Sequence, residues 1–236
     1  MSTTILTEIR PKLYRTSIFI EKINLSFNQF FIRSENDALI CVESGLRENF
    51  SAVADCLAEI GLNPSNITHF IAPHFEADEM GALPELLSAN PKLITYAHPI
   101  CSHGLSDIFG AHTKSFKDGA GVTLSGIEIV PIFTTHVHQW DALVVYLPAY
   151  RALLSSDLFM SYGDPTSGES DPTSSIIHSI EKSGYLPSLK CFSNALKKLE
   201  NLDIDVILPM HGPAIENNAS LIISNLLNYC NSDRSI

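Results

Sequence analysis

The chain has 236 residues, 45% of them apolar, and a formal net charge of −11. The length fits one domain with a sizeable core. The acidic balance counts against nucleic acid and anionic membrane surfaces as partners. In chain order, "KLYRTSIFIE" (12–21), "QFFIRS" (29–34) and "DALICVES" (37–44) carry β-branched and aromatic residues and read as strands. "ENFSAVADCLAEIGL" (48–62) has apolar residues at helical spacing and a glycine stop. "ITHFIAP" (67–73) is a short apolar strand. "GALPELLSAN" (81–90) reads as a helix with Pro84 near its first turn. "LITYAH" (93–98) predicts a strand and "ICSHGLSDIFG" (100–110) a short helix. Four strand signals follow, at 121–126, 127–135, 142–149 and 151–159. Residues 160–175, rich in Ser, Gly, Pro and Asp, predict a long loop that could cover a site. A helical stretch over 175–200 is broken near "SGYLPS". A strand "DVILPM" (205–210) and a final helix "ASLIISNLLNYC" (219–230) complete the pattern. This order fits two packed β-sheets with helices outside, an α+β architecture.

Five cysteines, Cys41, Cys56, Cys101, Cys191 and Cys230, show no CxxC pairing. That argues against a disulfide framework or zinc knuckle, and for reduced thiols packed as small hydrophobes. The N-terminal stretch has Glu8 and polar residues where a signal peptide would be apolar. No apolar run reaches the roughly 18 residues of a membrane span. A cytoplasmic protein without membrane contact is expected, and a homodimer is compatible with the composition.

Residues 74–79 read "HFEADE", one histidine and three carboxylates in six positions after an apolar strand. Carboxylates this close repel one another unless something positive sits between them, and a metal ion is the obvious candidate. His138 follows the "IFTTHV" strand, Asp157 ends "LLSSD" and His211 ends "VILPMH". Four strand ends thus deliver metal-capable side chains to loops, where sites tend to be built.

These four motifs together resemble the metallo-β-lactamase fold, and within it the diiron domain of flavodiiron proteins. Zinc hydrolases of that fold carry H-x-H-x-D-H in the first motif. Flavodiiron proteins carry H-x-E-x-D, matched by His74, Glu76 and Asp78. A histidine followed by an aspartate is matched by "HQWD" from His138 to Asp141, and a bridging aspartate 19 residues later by Asp157. The last histidine lies in a His-Gly-Pro turn, matched by His211-Gly212-Pro213. The resemblance implies an αββα sandwich over 1–236 and two metal positions. The first is His74, Glu76, His138 and Asp157; the second is Asp78, Asp157 and His211. Where the family usually has histidine after the motif aspartate, this chain has Glu79, which either adds a carboxylate to the second position or swings away.

Carboxylate-rich sites suit iron or manganese, whereas imidazole-rich tetrahedral sites suit zinc. Two iron ions are therefore expected, with zinc or manganese as alternatives. No glycine-rich phosphate loop is present, and little chain follows His211, so no FMN is expected on these residues. The resemblance implies a protein that binds or reduces dioxygen, or nitric oxide. It would act as a sensor with a signalling partner or with electrons from a separate donor. The alternative is a dinuclear hydrolase using a metal-bridged hydroxide. Among the other candidates, His136 reads as an outer or surface residue. His69, His98, His103 and His112 read as surface or capping positions. Asp141 either orients His138 or begins a strand. Cys101 is a weak nucleophile signal, and His178 and Tyr185 read as helix and turn positions that could reach the site.

Overall fold

The computed structural model describes residues 4–168 and 170–232. Among the described residues, thirteen strands form two sheets. The first contains β1 (Thr4–Arg10), β2 (Leu13–Ile20), β3 (Leu25–Arg33), β4 (Leu39–Val42), β5 (Ile67–Ala72), β6 (Ile94–Ala97) and β7 (His112–Ser115), in that spatial order. Its first four strands pair antiparallel, and β4 to β7 pair parallel. The second holds β8 (Val122–Leu124), β9 (Ile127–Phe133), β10 (Leu143–Leu147), β11 (Ala152–Ser156), β12 (Val206–Pro209) and β13 (Ile215–Glu216), ordered from β13 back to β8. Here β11 and β12 are parallel and the other pairs antiparallel.

Inner strands such as β4, β10 and β12 are apolar on both faces because each sheet is covered on both sides. In β4, Ile40 and Val42 point between the sheets, while Leu39 and Cys41 point to the outer helices. In β10, Leu143, Val145 and Leu147 face the partner sheet, and Val144 and Tyr146 face outward. The outer layer on the first sheet is α1 (Phe50–Glu59), α3 (Leu83–Ala89) and α4 (Pro99–Phe109). The second sheet is covered by α5 (Pro172–Ser183), α6 (Leu189–Leu199) and α7 (Ala219–Asn231). In α6, Phe192, Ala195, Leu196 and Leu199 recur at three- and four-residue spacing and form its buried face. The result is an αββα sandwich with one apolar cluster between the sheets and one under each helical layer.

Several boundaries differ from the sequence expectation. The long loop ends earlier, because Asp171 caps α5 by accepting from the Ser174 amide at 3.1 Å and Pro172 opens the helix. The strands β1 and β7 and the single-turn α2 (Ala77–Met80) carry too little apolar pattern to stand out. No helix among the described residues is long and apolar enough to cross a membrane.

Candidate metal centre

Six charged or imidazole groups converge at one end of the sandwich, beyond the ends of β5, β9, β11 and β12. After β5 the chain turns through His74 and Phe75 into α2, with Glu76 at its N-cap position. Glu76 makes no capping hydrogen bond. Its Oε2 lies instead 3.0 Å from Nε2 of both His74 and His138. His138 Nε2 is also 2.9 Å from Asp157 Oδ2, and His74 Nε2 is 3.6 Å from that oxygen. The ligating atoms of His74, Glu76, His138 and Asp157 all lie within 4.8 Å of one another, a geometry able to hold a metal ion. On the other side of Asp157, His211 Nε2 lies 3.4 Å from Oδ1 and 3.3 Å from Asp78 Oδ2. Asp157 Oδ1 is buried and has no hydrogen-bond partner.

The supporting contacts fix each group. His211 Nδ1 donates to the Ser26 carbonyl at 2.7 Å, which orients the ring and directs Nε2 at Asp78 and Asp157. The Phe75 amide donates to Asp141 Oδ2 at 3.1 Å and pins the His74–Glu76 turn. Asp141 therefore serves neither of its two sequence readings. Tyr185 Oη donates to the Asp157 carbonyl at 3.1 Å, and its ring meets that of His138 edge-on at 5.9 Å. It reaches the centre, whereas His178 is exposed and lines a separate cleft beside Lys182 and Tyr162. Glu79 is fully buried behind His74, where its Oε1 accepts from Ser156 Oγ at 2.7 Å and lies 3.4 Å from His74 Nδ1. His136 is exposed on a shallow cleft with Cys191 and Lys198. His103 and His112 are exposed, and His98 caps α4 by accepting from the Ile100 amide. His69 bonds Thr68 and Ser125. Cys101 is buried, and burial and Asp141 push its thiol up, so it is not a ready nucleophile.

Burial would lower the pKa of His138, but its hydrogen bonds to Asp157 and Glu76 outweigh burial and raise it to about 10. The same bonds from His138 and His74 hold Glu76 far below the usual carboxylate range. Burial opposes ionisation of Asp157, yet His138, His211 and His74 depress its pKa. The centre is thus a set of ionised carboxylates held by imidazoles, the charge pattern of an anionic cage waiting for cations.

Residues 25–212 match the family described as "ODP family beta lactamase". The chain belongs to that family. It is 28% identical over 218 residues to the type A flavoprotein of Rhodobacter capsulatus, covering 87% of this chain and 49% of that protein. It is 29% identical over 143 residues to the anaerobic nitric oxide reductase flavorubredoxin of Pectobacterium carotovorum, covering 57% of this chain and 27% of that one. The chain spans about half or less of the length of these curated relatives. Among solved structures, the rubredoxin oxygen:oxidoreductase of Desulfovibrio gigas superposes with a TM-score of 0.84 at 15% identity, over 98% of this chain and 63% of that one. A mutant of the flavo di-iron protein of Thermotoga maritima gives 0.86 at 21%, over 100% and 63%. This ODP-family member is therefore a metallo-β-lactamase-fold domain resembling the diiron part of flavodiiron proteins.

The family pattern does not point to Glu43. It follows β4 at φ 64, is fully buried, and neither carboxylate oxygen has a hydrogen-bond partner. Burial, then Asp157 and Asp78, push its pKa well up; burial and Glu43 do the same to Glu79. In the sequence Glu43 reads only as the tail of "DALICVES". An acid directly after four apolar strand residues was the available signal.

Proposed function

We propose that this chain is a non-haem diiron protein that binds or reduces dioxygen, or nitric oxide, with electrons from a separate donor. The observation that carries the reading is Asp157. Its two oxygens face two different imidazole groups, one of them the orphaned buried Oδ1, as a carboxylate shared between two metal ions would. His74, Glu76, His138 and Asp157 Oδ2 would hold the first ion; Asp78, His211 and Asp157 Oδ1 the second. Three carboxylates to three imidazoles is an oxygen-rich donor set that suits iron or manganese over zinc. When bound, a pair of iron ions would supply one electron each to a diatomic ligand. The residues' part is to hold that pair within reach of one ligand. Phe75 and Trp140 flank the motif loops and, with Ile100, line an apolar cleft of about 320 Å³ beside them. The names of the relatives, an oxygen:oxidoreductase and a nitric oxide reductase, support the ligand class.

The test is metal content. Protein purified anaerobically from iron-replete cells is expected to hold close to two iron atoms per chain, and His74→Ala or Asp157→Ala to lose most of them. Two zinc atoms, with iron excluded even in excess, would replace this reading with the metal-dependent hydrolase.

A further inference from the structure

His74 presents Nε2 to Glu76 and Asp157 and turns Nδ1 the other way, into a buried pocket of two polar side chains. There Ser156 Oγ lies 3.3 Å from Nδ1 and 2.7 Å from Glu79 Oε1. His74, Ser156 and Glu79 are 1%, 4% and 1% exposed, so no bulk water competes for these bonds. A hydroxyl has one proton to give and lone pairs to accept with. If Oγ–H donates to Glu79, Oγ accepts the Nδ1–H of His74. A proton fixed on Nδ1 leaves the Nε2 lone pair directed at the other donors, the tautomer that metal ligation requires.

The backbone supports a dedicated role for Ser156. It sits at φ 46, ψ −130, a region that side-chain-bearing residues rarely adopt. Glycine would relieve that strain but would remove the hydroxyl that lies between Glu79 and His74. The residue is also locked from behind, since its carbonyl accepts from the Met210 amide at 3.0 Å. Glu79 is tied at its own backbone, where its carbonyl accepts from the Ser44 amide at 2.7 Å. Its Oε1 reaches Ser156 and His74 and its Oε2 is buried without a hydrogen-bond partner, while His211 faces Asp78 and Asp157.

We infer that Ser156 and Glu79 are a positioning pair for His74, and that Glu79 is not a donor to the second metal position, which takes Asp78, Asp157 and His211. This rests on the dinuclear reading above. It assigns to Glu79 the orientation of a ligand on one ion instead of direct bonding to the other.

The experiment titrates metal-free wild type, Ser156→Ala, Glu79→Gln and Glu79→Leu anaerobically with ferrous ion against a competing chelator, and records Mössbauer spectra of the loaded proteins. Ser156→Ala is expected to weaken one of the two sites by about 10- to 100-fold and to shift only that iron's signal. Glu79→Gln keeps an acceptor for Ser156 and is expected to stay close to wild type. Glu79→Leu is expected to follow Ser156→Ala. Loss of one iron in Glu79→Gln, with Ser156→Ala unchanged, would make Glu79 a ligand and overturn the inference. Two irons bound with wild-type affinity in both Ser156→Ala and Glu79→Leu would overturn it while leaving the dinuclear reading intact. Wild type that takes up no iron would overturn both. Should Glu79→Leu not fold, the isosteric Glu79→Gln and the smaller Ser156→Ala decide the matter alone.

Discussion

Without metal, the proton on His138 should hold the centre together, and its loss should be measurable as stability. His138 Nε2 lies 2.9 Å from Asp157 and 3.0 Å from Glu76. Its pKa of about 10 in the folded chain compares with about 6.5 for an unperturbed imidazole. A folded-state pKa raised above the unfolded value adds stability that is fully present below about pH 6.5 and is lost as pH rises through about 10. The unscreened shift corresponds to about 5 kcal/mol. His138 is partly open to solvent, with its side chain 19% exposed, and screening reduces the contribution to about 2 kcal/mol. His211 shifts in the same direction, since Asp78 and Asp157 outweigh its burial. The depressed acids Glu76 and Asp157 stay ionised across this window and add no slope of their own. Glu43 and Glu79, whose pKa values burial raises, lose stability in the same direction as His138, so the same scan on His138→Gln gives the part that belongs to His138. The assay is thermal unfolding of chelator-stripped and iron-loaded protein from pH 6.5 to 10. For a chain of this size the stripped form is expected to lose about 4–8 °C in Tm relative to the loaded form. Iron must displace the same proton, so ferrous affinity should rise by up to about tenfold per pH unit over that range. A stripped protein whose Tm stays level with, or gains on, the loaded form would refute the assignment of that proton to His138.

Gly212 stands at φ 103 next to His211, and a Cβ there would collide with Ser161 Oγ and come within 2.9 Å of its carbonyl oxygen. Gly212→Ala is expected to cost about 2 kcal/mol or more in urea unfolding and to weaken iron binding, and adding Ser161→Ala should recover only part of the loss, because the backbone contact remains. Asp141→Ala removes the acceptor of the Phe75 amide and is expected to destabilise by about 1–3 kcal/mol while lowering iron affinity; unchanged affinity would show that the turn holds itself. Diferrous protein mixed with oxygenated buffer should oxidise once, with new visible absorption, and turn over only when a reductase is added; a spectrally silent protein that hydrolyses esters or lactams would contradict the proposed function.

Much of the sandwich was legible because its inner strands are apolar on both faces. β4, β5, β10 and β12 stand out as short apolar runs, and the helices α1, α6 and α7 by their three- and four-residue spacing. The missed strands are at the margins. β1 is half-buried along its length and β7 is the short, mostly exposed "HTKS". Such edge strands are held by backbone pairing, which leaves little trace in side-chain pattern. The convergence of His74, Glu76, Asp78, His138, Asp157 and His211 was expected from motif order, and their side chains do meet at one end of the fold. The groups behind them were less legible. Asp141 has the right spacing to serve His138 but bonds an amide 66 residues earlier. Ser156 and Glu43 stand out through burial and backbone conformation, neither of which a one-dimensional pattern records.

The centre sits where it does because main-chain hydrogen bonds link the two sheets at that end. The Leu143 amide at the start of β10 donates to the Pro73 carbonyl at 3.0 Å, joining the His138 loop to the His74 turn. The Asn28 amide on β3 donates to the Met210 carbonyl at 2.9 Å, and its side-chain amide donates to the Pro209 and Gly212 carbonyls, both at 2.9 Å. Asn28 thus clamps the His211 turn of the second sheet onto the first. The Ser161 amide donates to the His211 carbonyl at 3.1 Å, tying the segment after Asp157 to the same turn. None of these bonds involves a ligating atom, so they tie the four loops together independently of the side chains that face the centre. A bound cation would relieve the mutual repulsion of Glu76, Asp78 and Asp157, and would have to displace the protons that these carboxylates hold on His138 and His211. With the loops tied in this way, three carboxylates sit close together because each lies within 3.4 Å of an imidazole nitrogen that offsets its charge.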